Sequence, residues 1–320
     1  MPERSSRAAP DAGQWRRTAT HRLSLERLAL RDRYLLLGGM GLVVALELGL
    51  VWLPALASVA LSFTGWDGVG GLDAIELVGL RNYELLASAY PRFWSAVLNN
   101  TIWLVALMGI ALPLGLALAA VLDRRIRGTR FYQGALYLPV LLSLALVGFV
   151  WELQLSPGHG LFNGLLGRTG PDEQIDWLGD RSINRLVVLA PAIWRHVGYV
   201  LVLFLAGLRT VDTSIREAAA IDGATERQAF LFVVLPSLWP VTVVVIVVTA
   251  IQALRAFDIV YVLNGGLNGL ELLSLLVTTN VVGEASRLGF GSAIATVLLL
   301  VSIVPIAIFL RRVERGEQPA

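Results

Sequence analysis

Six long apolar runs constrain this chain more than any other feature of its sequence. A helix needs about 20 residues to cross the hydrocarbon core of a bilayer, and each run provides that many. Charged side chains inside the runs are few, with Glu47 in the first and Arg195 in the fourth. The runs cover residues 34–63, 93–122, 131–151, 186–208, 236–256 and 288–310.

Backbone N–H and C=O groups in lipid must be satisfied within the protein, so runs of this length predict helices. We therefore expect an all-α integral membrane protein with six transmembrane helices. The composition agrees, because 56% of the residues are hydrophobic and 16% are charged. A soluble domain of this size usually has about 25% charged residues.

Arginine is concentrated on one side of the predicted spans. Eighteen arginines lie in the N-terminal tail, the loops 123–130 and 209–235 and the C-terminal end, whereas the opposite loops contain six. Because basic residues favour the cytoplasmic side, both termini and the loop 209–235 are predicted to be cytoplasmic. Residues 1–33 are expected to form a disordered basic cytoplasmic tail, residues 34–312 the transmembrane domain, and residues 313–320 a second cytoplasmic tail.

Several classes of function are excluded by missing residue types. The chain contains no lysine, so it has no Walker A lysine and is not itself a P-loop ATPase. It contains no cysteine, which excludes disulfides, thiolate metal sites and thiol nucleophiles. Its three histidines, His21, His159 and His196, are far apart in the sequence, and no metal site or other cofactor is predicted. The sequence pI near 9.2 follows from the cytoplasmic arginines rather than from nucleic-acid binding.

The loop 209–235 is a polar-rich stretch between the fourth and fifth spans. Ser214-Ile215-Arg216-Glu217 and Thr225-Glu226-Arg227-Gln228 each have the spacing of a capping box, in which two orphan backbone amides are satisfied reciprocally. Gly223 lies between them, where a helix end tolerates positive φ. The loop is predicted to form two short helices with a turn at Gly223, and Pro236 is expected in the first turn of the fifth span.

Glu217-Ala218-Ala219, Gly223, Val233 and Leu235-Pro236, at this spacing and between two spans, resemble the signature loop of the permease subunits of binding-protein-dependent ABC importers. Val233 stands where the family has an isoleucine-like residue, which is a mild departure. Further stretches resemble the carbohydrate-uptake branch, which includes maltose and glycerol-phosphate permeases, so that the likeness covers about residues 35–312. These stretches include Val78-Gly79-Leu80-Arg81-Asn82-Tyr83, Arg127-Gly128-Thr129-Arg130-Phe131-Tyr132 and Phe257-Asp258-Ile259-Val260-Tyr261.

The resemblance implies a type I ABC importer permease in a bacterial-type plasma membrane. It implies four kinds of partner: a second homologous permease, two ATP-binding cassette ATPase subunits, an extracytoplasmic solute-binding protein and a sugar-like solute. It also implies that the loop couples the permease to the ATPases, with Glu217 as the salt-bridging residue, the alanines as the packing surface and Gly223 as the turn. The residues expected to couple are Glu217, Ala218, Ala219, Asp222, Gly223, Leu235 and Pro236.

Arg195 lies about nine residues into the fourth span. A charge at this depth is costly unless it faces protein or water, so Arg195 is a candidate for lining a substrate path. The alternatives are that it snorkels to the interface, or that it pairs structurally with Asp258 or Glu47.

A second candidate cluster lies near the predicted outer end of the fifth span. Gln252, Arg255 and Asp258 are three residues apart, which would place them on one helical face. With Phe257 and Tyr261 nearby, they offer hydrogen-bonding groups and aromatic platforms that suit a sugar. The alternative is an interfacial aromatic belt with a local ion pair.

The sequence is also compatible with two other functions. The first is a permease for a non-sugar solute such as glycerol phosphate. The second is a secondary transporter, which would need intramembrane carboxylates, and Glu47 alone gives little support for one. A membrane enzyme would need a catalytic constellation, and none is apparent in the sequence.

Overall fold

The computed structural model describes residues 30–124, 127–283 and 286–314, and over these ranges the protein is helical without a β-strand. Contacts within the described residues separate two compact units, with the boundary between Leu56 and Ala57. The helices of the first half are α1 (Leu30–Glu47), α2 (Leu53–Leu61), α3 (Arg81–Ser88), α4 (Pro91–Ala106), α5 (Leu112–Asp123), α6 (Thr129–Leu141), α7 (Leu144–Leu155) and α8 (Leu161–Leu165). Those of the second half are α9 (Asn184–Leu208), α10 (Thr213–Ile221), α11 (Glu226–Ala229), α12 (Leu235–Ser237), α13 (Trp239–Leu254), α14 (Asp258–Asn264), α15 (Leu273–Val281) and α16 (Leu288–Glu314).

Within the described residues, five stretches of helix are long and apolar enough to cross a membrane, and they match five of the six predicted spans. Turns of π-helix at Leu48–Trp52 and Leu107–Ala111 keep the first and second of them continuous. The first span begins within α1, which starts at Leu30, and residues 1–29 lie outside the described part of the chain. The five stretches are Tyr34–Leu61, Pro91–Asp123, Asn184–Leu208, Trp239–Asn264 and Leu288–Arg311.

The third predicted span, residues 131–151, is not one straight helix. It consists of α6 and α7, which meet at an angle of 98°. The chain is extended at Leu142 and Ser143, and the Ser143 side chain accepts a hydrogen bond from the Leu146 N–H, which makes Ser143 the N-cap of α7. Both halves are apolar, so the run by itself predicts one helix and does not mark the break.

The fifth span also departs from the prediction at both ends. Pro236 belongs to the separate short helix α12, and α13 begins at Trp239 rather than at Pro236. Helix α13 ends at Leu254, and the chain starts a new helix, α14, at Asp258. The prediction that Gln252, Arg255 and Asp258 share one helical face is therefore wrong, because only Gln252 lies within α13.

Close helix packing forms the core of residues 57–320. Helix α5 packs on α9 at Gly115, where a Cβ atom would lie 2.6 Å from the Cβ of Val200. One buried cluster lies among α5, α9 and α13 and includes Phe204 and Val245. A second involves α4, α7, α9 and α14 and includes Val188 and Val260.

Two neighbouring asparagines of α4 fasten the segment after α14 to the second span. The Asn99 Nδ2 donates to the carbonyl oxygens of Gly269 and Glu271, both at 2.8 Å. The Asn100 Nδ2 donates to the Leu254 carbonyl at 3.0 Å, and its Oδ1 accepts from the Leu273 N–H at 3.0 Å. These bonds join α4 to the end of α13 and to the segment after α14, whereas the Thr101 hydroxyl bonds within its own helix.

Candidate functional sites: a helical loop and a pocket between the spans

The helical loop between α9 and α13 has the predicted shape of helix, turn and helix. Gly223 has φ of +82° with nothing within 4 Å of where a Cβ would be, so the turn needs glycine for its backbone conformation rather than for space. The Gly223 N–H donates to the Ala220 carbonyl at 3.1 Å, and the Ala224 N–H donates to the Ala219 carbonyl at 3.0 Å. These bonds close the end of α10, and the predicted turn at Gly223 is confirmed.

The two predicted capping boxes have different outcomes. The box at Thr225 is present: the Gln228 N–H donates to the Thr225 hydroxyl at 3.3 Å, and the Thr225 N–H donates to the Gln228 side chain at 2.9 Å. The box at Ser214 is wrong, because the N-cap of α10 is Asp212, whose carboxylate accepts from the Ser214 N–H at 3.0 Å. Asp212 has the extended backbone that an N-cap needs, and Ser214 already lies inside the helix. The same hydrogen bond holds the pKa of Asp212 below its ordinary value.

The seven predicted coupling residues do not share one environment. Glu217, Ala218, Asp222 and Gly223 are exposed, and Pro236 is exposed in α12. Leu235 is half-buried. Ala219 is only 7% exposed, so it packs α10 against the rest of the chain and does not belong to an exposed packing surface.

Ile221 was not among the predicted coupling residues, and it is a further exposed residue of the loop. Its side chain is 86% exposed at the end of α10, beside the Gly223 turn. It is an uncovered apolar side chain on a polar-rich loop. The sequence contained a signal for it, since an isoleucine follows three alanines just before the glycine.

A pocket of about 330 Å³ lies between α4, α7, α9, α13 and α14. It brings together five of the six residues predicted for the substrate path: Arg195, Gln252, Arg255, Phe257 and Asp258. They meet because the chain breaks between α13 and α14, and not because they share a helical face. The apolar part of the lining includes Trp103, Leu107, Leu144, Ala192, Ile251, Ala256 and Ile259.

Tyr261, the sixth predicted path residue, is not part of the pocket lining. Its ring stacks on that of Phe257, with centroids 5.1 Å apart and an interplanar angle of 14°. Its side chain is largely exposed. Tyr261 therefore supports Phe257 from outside the pocket.

Arg195 lines this pocket, and its guanidinium group forms few hydrogen bonds with the protein. Its closest hydrogen bond is a long one, 3.5 Å to the Val140 carbonyl, and its buried Nε has no hydrogen-bond partner. In the described part of the chain Arg195 forms no salt bridge, so the predicted pairing with Asp258 is not a direct ion pair. Both side chains nevertheless line the same pocket.

His196 is a further polar residue of the pocket that the sequence did not single out. Its Nε2 lies 2.9 Å from the Thr249 hydroxyl, and both residues are buried. The bond joins α9 to α13 beside the pocket. Its position next to Arg195 in the sequence could have indicated that His196 lies at the pocket. Its hydrogen-bond partner, Thr249 in another span, could not be predicted from the sequence. No group of metal-ligating side chains occurs among the described residues.

These observations define a class, namely an all-α multi-pass membrane transport protein with a polar pocket between its spans and an exposed helical loop at one end. The family model described as "Binding-protein-dependent transport system inner membrane component" matches residues 111–317. The chain belongs to this family, which confirms the permease family expected from the loop. It is accordingly a membrane permease subunit.

Relatives along most of the chain carry the same assignment. A probable ABC transporter permease protein of Pyrococcus horikoshii is 30% identical over 84% of this chain and 91% of its own length. A xylose/arabinose import permease protein of Haloferax volcanii is 34% identical, over 76% of this chain and 77% of its own length. A trehalose/maltose transport system permease protein of Thermococcus litoralis is 31% identical, over 74% and 80% respectively.

The fold has been seen in a solved structure. The chain superimposes with a TM-score of 0.74 and 20% identity on a chain of a bacterial alginate ABC transporter in complex with an alginate pentasaccharide-bound periplasmic protein. The match covers 89% of this chain and 96% of the other. It supports the ABC importer permease fold predicted from the sequence.

Proposed function

We propose that this permease translocates a sugar or sugar-like solute, delivered by an extracytoplasmic binding protein, and that ATP hydrolysis on partner chains drives it. A second homologous permease completes the path. Two ATP-binding cassette subunits bind on the cytoplasmic side, where the loop from Asp212 to Pro236 couples them to the spans. The observation that carries the proposal is the pocket between the spans, with its charged and amide groups beside an aromatic ring.

The pocket has the chemistry of a carbohydrate contact. The Gln252 amide can donate hydrogen bonds to hydroxyl groups and accept them, and the Asp258 carboxylate can accept them. Phe257 offers an apolar ring face. The stack of Phe257 on Tyr261 holds that face in place. Relatives named for pentose and disaccharide import support the same class of solute.

The loop has the shape of a docking element. Glu217, Ala218 and Asp222 are exposed on α10, and Ile221 presents an uncovered apolar side chain. Small residues allow another surface to approach closely, and a buried isoleucine would contribute apolar contact area. When the ATPase pair closes on ATP, it moves this loop, and the spans rock so that the pocket opens to the other side of the membrane.

A second candidate solute class is anionic, such as glycerol phosphate. Arg195 and Arg255 bring two guanidinium groups to the pocket, whereas Asp258 brings one carboxylate. A phosphate or carboxylate on the solute would supply the missing counter-charge to Arg195. Competition of labelled-solute uptake by neutral sugars and by glycerol phosphate separates the two classes.

Coupling is tested by Glu217→Lys and Gly223→Asp in the complete transporter. We expect uptake to be lost and the ATPase subunits to co-purify poorly, because the first variant reverses an exposed charge of α10 and the second places a side chain at φ of +82°. Glu173→Lys is the matched control, since Glu173 is equally exposed but lies in the loop between α8 and α9. Normal uptake in both loop variants would refute the coupling role.

The pocket is tested by Phe257→Ala, with Phe149→Ala as control because Phe149 is exposed on α7 and outside the pocket. Aromatic contacts are worth about 0.5–1.5 kcal/mol, so solute uptake should fall about 2- to 10-fold in the first variant. Co-purification of the ATPases should be unchanged in both. Equal uptake by the two variants would remove Phe257 from the path.

A further inference from the structure

Two ion pairs tie the cytoplasmic end of the second span to the helical loop. The Oδ2 atom of Asp123, the last residue of α5, lies 2.7 Å from the Nη1 atom of Arg216 in α10. The next residue, Arg124, lies 3.0 Å from Glu226, the first residue of α11. Adjacent residues of one span therefore hold both short helices on either side of the Gly223 turn.

The two pairs differ in how far they are shielded from water. In the Asp123–Arg216 pair the side chains are 16% and 37% exposed, whereas in the Arg124–Glu226 pair they are 59% and 82% exposed. Exposed ion pairs contribute little because water screens them, and a shielded pair interacts more strongly. Asp123–Arg216 is thus the stronger connection and Arg124–Glu226 an accessory one.

Arg216 also reaches the end of the fourth span. Its Nη2 atom lies 3.5 Å from the carbonyl oxygen of Leu208, the last residue of α9. A guanidinium at the C-terminal ends of α5 and α9 is favoured by the helix dipoles as well as by Asp123. One side chain of α10 thus contacts two spans that pack directly on each other.

A cavity of about 260 Å³ lies beside these bonds, between the end of α5 and the loop. It is lined by the charged residues of the two pairs together with Ala120, Ala220, Ala224, Ala229, Phe230 and Val234. Apolar packing is present as well, because Leu122 of α5 and Val234 of the loop belong to one buried cluster. The ion pairs therefore add polar contacts between α5 and the loop beside that cluster.

The second span leads from these ion pairs to the pocket. The helix is continuous from Pro91 to Asp123, with a π-turn at Leu107–Ala111. Trp103 and Leu107 of this span line the pocket, about 30 Å and about 24 Å from Asp123 at 1.5 Å per residue. The route through the backbone is less direct, because the chain breaks at Leu238 between α12 and α13.

We propose that the Asp123–Arg216 pair, assisted by Arg124–Glu226, transmits the movement of the loop to the second span and so to the pocket. The proposal rests on the coupling role proposed above. Asp123 and Arg216 are positioning residues, which act through α5 and touch neither the solute nor the site of ATP hydrolysis. They form a second connection between loop and pocket, parallel to the covalent one through α12 and α13.

The test is a charge swap in the complete reconstituted transporter. Asp123→Arg and Arg216→Asp alone should each lower the amount of solute transported per ATP hydrolysed at least about tenfold, while the ATPase subunits still co-purify. The double variant Asp123→Arg with Arg216→Asp restores the pair with opposite polarity, and uptake should return to within about threefold of the unmodified protein. Arg124→Asp, at the exposed pair, should have a smaller effect than Arg216→Asp.

Three outcomes would overturn the proposal: single variants that transport normally, a double variant no better than the singles, or an equal loss of ATPase binding in every variant. If the charge reversals do not insert, Asp123→Asn and Arg216→Gln remove the charge at similar size, and uptake within twofold of the unmodified protein then contradicts the proposal. Glu217→Lys is measured in parallel. If it abolishes uptake while the ion-pair variants transport normally, the coupling role stands and this proposal fails. If both Glu217→Lys and Gly223→Asp transport normally, the coupling role itself fails.

Discussion

The helical loop and the pocket are built in opposite ways. The caps of the loop join residues two or three positions apart, from Asp212 to Ser214 and from Thr225 to Gln228. The pocket gathers side chains from Trp103 to Ile259, which lie on five helices and in the break between α13 and α14. Its frame depends on bonds such as that from Asn100 to Leu273, which spans 173 positions of the sequence.

Because of this difference, we expect substitutions in the two regions to have different effects. Changes in the loop should alter local order and coupling while the spans stay folded, because its bonds are local and much of it is exposed. Changes in the frame of the pocket should unfold the spans, because each bond there joins distant parts of the chain.

Gly115→Leu should have the largest effect on folding. The new side chain would collide with Val200 where α5 packs on α9, and overpacking a tight contact costs roughly 1–3 kcal/mol or more. The measurement is the thermal unfolding of the detergent-solubilised protein. Gly134→Leu is the control, because Gly134 on α6 has nothing within 4 Å of its Cβ position; equal destabilisation of both variants would refute the close contact.

Asn100→Ala should destabilise the frame of the pocket. It leaves the Leu254 carbonyl and the Leu273 N–H without their partner, and an unsatisfied buried polar group costs about 1–3 kcal/mol. We expect a lower unfolding temperature in detergent and, at permissive temperature, retained association with the ATPases. Thr101→Ala is the control, since the exposed Thr101 hydroxyl bonds only to Val97. A drop in stability for Thr101→Ala alone would contradict this interpretation.

Thr225→Ala should act on the loop alone. It removes the cap of α11, a loss worth about 0.5–2 kcal/mol of local helix stability. Amide hydrogen exchange should accelerate in residues 226–234, with the unfolding temperature of the whole protein unchanged. Thr213→Ala provides the comparison, because Asp212 and not Thr213 caps α10. Faster exchange in the spans would show that the loop is less independent than its local bonds indicate.

The smallest effect is the pH dependence of the α10 cap. The Ser214 N–H holds the pKa of Asp212 below its ordinary value of 3.8, so the charged cap stabilises the folded form. This stabilisation is complete above the unfolded pKa of 3.8 and is lost as the pH falls through the lower folded pKa. The Ser214 amide chemical shift should titrate with a midpoint below 3.8, and Asp212→Asn should abolish the titration. A midpoint at or above 3.8 would exclude the cap.

Much of the membrane architecture could be predicted from the sequence. Apolar length alone located five spans, since crossing a bilayer is a matter of length and hydropathy. The turn at Gly223 and the cap at Thr225 were also predictable, because positive φ and capping are properties of a few neighbouring residues. The spacing of Glu217, Gly223 and Pro236 indicated the family that the comparisons confirm.

Other features were decided only by the tertiary structure. The bend at Ser143 lies inside an apolar run and the break before Asp258 lies just after one, and the hydropathy of a run does not mark where a helix within it ends. Which of two nearby polar residues caps α10 depended on the backbone angles of Asp212.

Contacts between residues that are distant in the sequence could not be predicted from it either. Asp123 and Arg216 are 93 positions apart, and a charge pattern does not say which acid meets which base. The pocket residues come together because the chain breaks between two helices, although the sequence suggested one helical face. Local chemistry therefore determined the loop and the spans, whereas packing between distant helices determined the pocket and the ion pairs that join it to the loop.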